Sequence, residues 1–197
     1  MKVISQLAPP AIALLLLVGC NKQAAEPAAA TSDNAPSAMP AQSPVEVNDP
    51  LPSTDIDLAM EMVGTPSYAK ETDTISFQLA VTNNGPITLA TAGKHPVQLG
   101  LVVRDANGEM NGAIAKQDFL RVPFPQAVAP GQKVVIPIVF PAAPTLGGIV
   151  VVDGVQEGVS WFSSYEKPTF EVGRFQRCAG DPQSVCTADG TPVGAAK

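Results

Sequence analysis

Apolar and polar residues alternate along most of the chain after residue 54. Ile56, Leu58, Met60 and Met62 form one such series, and Ile75, Phe77, Leu79 and Val81 a second. Val97, Leu99, Leu101 and Val103 form a third, and Val134, Ile136, Ile138 and Phe140 a fourth; Phe170 and Val172 make a short last one. Successive side chains on a strand point to opposite faces, so a period of two marks strands with one face buried. Ile149 to Val152 is instead an unbroken apolar run, as expected of a strand covered on both faces.

Turn sequences separate these runs: Asn83-Asn84-Gly85-Pro86, Asp105-Ala106-Asn107-Gly108, Ala129-Pro130-Gly131 and Thr145-Leu146-Gly147-Gly148. With no amphipathic helix between them, the strands predict an all-β fold, a single antiparallel β-sandwich over 54–177. Pro137 interrupts one run and cannot donate a ladder hydrogen bond, so its strand is expected at an edge or bulged.

The first residues follow a different pattern. Lys2 precedes the apolar run Ala11 to Val18, and Leu17-Val18-Gly19-Cys20 closes it. This resembles a bacterial lipobox: residues 1–19 read as a lipoprotein signal peptide and Cys20 as the lipidated residue. Gln6 and Pro9-Pro10 break the run, which is short of the roughly 20 apolar residues that span a bilayer. Residues 20–53 are rich in Ala, Pro, Ser, Gln and Asn and lack apolar periodicity, which predicts a disordered tether. As a coil it would reach on the order of 30–40 Å from the lipid. Asn21 after the lipid site, where Asp is associated with inner-membrane retention, tilts the expected address to the outer membrane, at its periplasmic face or the cell surface.

Lipidation of Cys20 leaves Cys178 and Cys186 as a pair in an oxidising compartment, which predicts a disulfide. So short a ring is worth roughly 2–3 kcal/mol by loop entropy. Neither cysteine lies in an apolar alternation, so residues 178–197 are expected to be a stapled loop and tail.

Several landmarks then come in order: Thr82-Asn83-Asn84-Gly85, Gly93-Lys94-His95-Pro96-Val97-Gln98-Leu99, Arg121 with Pro123, Val128-Ala129-Pro130-Gly131, Pro141-Ala142-Ala143-Pro144, and Val155-Gln156-Glu157-Gly158-Val159-Ser160-Trp161-Phe162. Across 73–172 they resemble an Ig-like β-sandwich accessory domain of bacterial envelope and polysaccharide-related proteins, one often found beside glycosyltransferase or methyltransferase domains. The chain departs from that pattern at Ile87-Thr88-Leu89, where such domains tend to carry a tryptophan, and at Leu101 to Val103, where aromatics are expected. The resemblance implies the sandwich and an envelope setting, and supplies no ligand.

Candidate chemistry is sparse. Trp161 offers an indole face on which a sugar ring could stack. Burial is the commoner fate of tryptophan, so Trp161 is expected in the core, with Phe162 on the opposite face; the reverse placement is the alternative. Glu157 could hold a cation or a sugar hydroxyl, but is expected to pair with Arg121. Asp105-x-Asn107-Gly108-Glu109 lacks the remaining ligands of a calcium loop and reads as a hairpin turn. His95 is the only histidine and has no acid or nucleophile at a meaningful spacing. The net charge of −6, about −7 once Lys2 is removed, and the lack of a basic run disfavour nucleic acid and anionic lipid as partners. The expectation is a lipid-anchored envelope protein with a non-catalytic binding or scaffolding sandwich, acting on an envelope protein or polysaccharide, without cofactor or metal. The alternatives are a carbohydrate-recognition module and an envelope hydrolase with a spatially assembled site.

Overall fold

Each alternating series forms a strand in the structure, a computed structural model that describes residues 45–195. The leader, Cys20 and the tether up to residue 44 lie outside the described residues. The strands are β1 (Leu58–Ala69), β2 (Thr74–Asn83), β3 (Val97–Arg104), β4 (Lys116–Pro123), β5 (Lys133–Pro141), β6 (Ile149–Gln156), β7 (Ser160–Trp161), β8 (Phe170–Cys178), β9 (Asp181–Thr187) and β10 (Gly194–Ala195). One sheet has the order β10-β1-β2-β5 and the other β4-β3-β6-β8-β9, with β7 also pairing β6. The pairings are antiparallel apart from β1 with β10. Connections β2–β3, β4–β5 and β5–β6 pass from one sheet to the other, as in immunoglobulin-like sandwiches.

The inward residues of each alternation meet between the sheets. Phe77 and Phe175 both pack on Phe140, with ring centroids 6.2 Å apart in each case, and Phe119 approaches the same ring at 6.4 Å. In β8, Phe170 and Val172 pack on the core, and then the register shifts opposite Val150 and Val151. Gly173, at φ +142°, absorbs the extra residue, so the next core side chain is Phe175 rather than Arg174.

Pro137 lies in β5, an edge strand. Asn83 N donates to Gln132 O at 3.0 Å and Ala142 N to Asp73 O at 2.8 Å, which fixes the phase of the β2–β5 ladder. In that phase Pro137, opposite Gln78, and Pro141, opposite Thr74, turn their nitrogens away from β2. The open edge of β5 is therefore interrupted by two groups that cannot donate, a device that blunts strand addition.

Two expected boundaries are corrected. Within the stretch expected as loop and tail, residues 178–195 carry strands: β9 pairs β8, Val185 joins the core and β10 pairs β1. The Cys178–Cys186 disulfide is present, with Cα atoms 5.1 Å apart, as a link between adjacent strands. The folded domain also starts before residue 54. Val47 N donates to Ala92 O, and His95 N to Val47 O. Gln156, 2 % exposed, accepts from Leu51 N at 2.8 Å and donates to Asp49 O at 2.9 Å. Backbone hydrogen bonds hold this stretch, and composition carries no sign of them.

One polar network joins the sheets at their rim. Tyr68 Oη donates to Asp73 Oδ1 at 2.8 Å, and Arg177 donates to Tyr68 Oη at 3.0 Å and to both Asp73 oxygens at 2.9 and 3.1 Å. Desolvation pushes the Asp73 carboxyl upward, but the hydrogen bonds from Tyr68 and Arg177 and the guanidinium charge outweigh it and hold it below its usual value. A depressed carboxyl stabilises the fold above its unfolded value of 3.8, and that contribution is lost as pH falls through the folded pKa. Asp73→Ala is therefore expected to unfold at lower urea than the wild type at pH 7, with the two midpoints converging as pH falls well below 3.8. A gap that stays constant across that titration would contradict the assignment.

Candidate functional site

Strand β6 is buried along nearly its whole length on both faces. Val150 and Val152 face the core, whereas Val151, Asp153 and Val155 face outward and are still buried. The outer cover is built by the chain that follows β6. Trp161 in β7 stands opposite Val155, and β8 resumes the pairing opposite Val152. Between them the chain rises off the sheet in a 3-10 turn, Phe162–Tyr165, leaving a gap in the strand beside Asp153.

Trp161 and Phe162 take opposite faces, as strand alternation requires, but the expected burial is reversed. Phe162 is 1 % exposed in the core, and half-buried Trp161 lies on the outer face. Two glycines decide this. A Cβ on Gly154 would fall 2.2 Å from the Phe162 ring, and one on Gly100 would fall 2.2 Å from Trp161 Cζ3. Each aromatic occupies a recess that only glycine leaves open, one on each side of the sheet.

Arg121 and Glu157 join Trp161 there. Arg121 Nε donates to Glu157 Oε1 at 2.6 Å, the expected pair. The guanidinium lies 4.3 Å from the indole centroid, a cation–π contact worth about 0.5–1 kcal/mol where solvent reaches it. Nη1 is 2.6 Å from Asp118 Oδ1 without hydrogen-bond alignment, so this buried nitrogen makes a charge contact and no directed bond. The stack occupies one face of the indole, so that face is not open to a sugar ring.

The other residues at this surface were not singled out from the sequence. Asp153, 2 % exposed, accepts from Ser163 Oγ at 2.5 Å and from Ser163 N at 3.3 Å, fixing the start of the 3-10 turn. Burial raises its carboxyl pKa; the Ser163 and backbone hydrogen bonds and the Arg104 charge oppose that without cancelling it. A lone carboxylate inside Val150-Val151-Val152-Asp153-Gly154-Val155 was the available signal. Beside it lies a half-open hollow of about 100 Å³, bounded by Trp161, Val102, Met110 and Arg104. Ser163 commits its proton to Asp153, and His95 Nδ1 is held by Glu157 O at 2.9 Å, so neither forms a serine–histidine pair with the other. Asp105 Oδ1 accepts from Asn107 N and Glu109 N at 2.8 Å each, forming the expected turn. Among the described residues no group of three or more His, Cys, Asp or Glu is placed to hold a metal. Neither a family model nor a curated protein sequence matches this chain.

Two outcomes test this geometry. Gly100→Ala is expected to destabilise by about 1–3 kcal/mol through overpacking, with a red-shifted emission from the single tryptophan as Trp161 leaves its recess. An unshifted spectrum at unchanged stability contradicts the recess. A raised carboxyl favours the fold below its unfolded value of 3.8, and that contribution is lost as pH rises through the folded pKa. Asp153→Asn removes this loss, so its stability relative to the wild type should rise between pH 4 and 7 in urea titrations. The opposite slope would show that Asp153 is stabilising as an anion.

Proposed function

We propose that this is a lipid-anchored protein of the bacterial envelope, most readily of the outer membrane. In this reading its β-sandwich is a non-catalytic binding and scaffolding module for another envelope protein. The lipobox ending in Cys20 supports the address, and residues 20–44 supply the leash. The observation that carries the binding role is the contrast between the two outer faces. The β3–β6 face is roofed by the chain itself. The β1-β2-β5 face has no such roof among the described residues, and it presents Val63, Val135 and Val139 at 41, 47 and 54 % exposure, with Pro137 between the last two. Its charges include the exposed Lys133–Glu61 pair, which neutralises itself. An uncharged apolar surface of a second protein complements such a face better than a hydroxylated polysaccharide does. The prolines on the β5 edge direct a partner to the face rather than to strand addition.

Photo-crosslinking in the native envelope tests this. A crosslinker at position 139 should give one discrete adduct with a different protein. That adduct should be lost in Val135→Asp, whose stability should stay within about 0.5 kcal/mol of wild type, as for most surface changes. It should also weaken when Cys20→Ala releases the chain from the membrane fraction. Adducts equally abundant from a crosslinker at exposed Glu71, or only between copies of this chain, would sink the reading.

A further inference from the structure

We propose that the hollow beside Trp161 is a subsite for the acetamido group of an N-acetylated amino sugar. It lies on the sheet opposite to the one bearing Val135 and Val139, so it stands or falls independently of the docking face. Its size selects the group. A dry cavity of about 150 Å³ admits benzene, so a hollow of about 100 Å³ takes a group of only a few heavy atoms. An acetamido group is of that size, whereas a whole pyranose is not.

The lining matches the chemistry of such a group side by side. Val102, Met110 and the indole of Trp161 offer apolar contact for a methyl. Asp153 accepts from Ser163 Oγ and N and from the Gly154 backbone N–H, which leaves about one of a carboxylate's four acceptor sites for an amide N–H. Arg104, which is in no ion pair among the described residues, and the Ser164 hydroxyl supply donors for the carbonyl. The site exists because the chain leaves the sheet between β7 and β8, so the wall beside Asp153 is side chains rather than a paired strand. The hollow is half-open, and Gln117 and Thr169 in its lining offer hydrogen-bonding groups that suit a hydroxyl-bearing ring better than an alkyl stem.

The single tryptophan makes the test direct, because its emission and its indole N–H resonance report on this wall alone. The full lipidated chain in detergent is titrated with N-acetylglucosamine, glucose and Nε-acetyl-lysine. A saturable change is expected with N-acetylglucosamine at a Kd on the order of 1 mM, typical of so small a ligand, and none with glucose. Ser164→Val, at an exposed position, should weaken it about two- to tenfold by removing one hydrogen bond. Val102→Phe, which fills the hollow, should abolish it. No saturable response, an equal response to glucose, or unchanged binding in both variants overturns the subsite. An equal response to acetyl-lysine overturns the sugar assignment.

Discussion

Burying both faces of β6 is the constraint from which the rest of the molecule follows. A two-layer sandwich covers only one face of each sheet, so a central strand reading Ile-Val-Val-Val needs a second cover. The chain provides it immediately, by turning back at Gly158, placing Trp161 outside and Phe162 inside, and rejoining the sheet at Phe170. The short return forces the gap in the strand, the gap exposes Asp153 to the 3-10 turn, and Ser163 holds the two together. The ion pair of Arg121 with Glu157 then fixes the roof from strand β4, on the far side of β3. Tryptophan, buried acid and hollow are consequences of one strand that has no solvent-facing side.

The same economy separates the two sheets. The β4-β3-β6-β8-β9 sheet carries the polar, enclosed features, and the β1-β2-β5 sheet carries bare valines beside a proline-guarded edge. The sheets are locked at the rim by Tyr68, Asp73 and Arg177, next to the disulfide that joins β8 to β9. Because Arg177 and Cys178 are consecutive, the covalent link and the ion pair restrain the same turn of chain.

The sandwich was legible because burial on one face leaves a period of two, and β1, β2, β3 and β5 carry it plainly. Strand β4 was not, because its register shift sets Phe119 and Leu120 side by side and breaks the alternation. Strands β9 and β10 were missed because one buried valine, Val185, is too little pattern to see. Sequence alternation placed Trp161 and Phe162 on opposite faces but could not say which went inside. That choice belongs to Gly100 and Gly154, which are distant along the chain and show no pattern of their own. Arg121 and Glu157 met as expected because the sandwich brings β4 and the turn after β6 over the same outer face, whereas the second contact of Arg121, to Asp118, was not anticipated. Asp153 was overlooked because a single acid within an apolar run looks like an interruption rather than a site.

Gln156 ends β6 and grips the incoming chain at Asp49 and Leu51. A pull applied at residue 45 would meet the Val47 bonds to Ala92 and His95 first and the Gln156 side chain next, so it would reach the middle of the six-stranded sheet without peeling an edge strand.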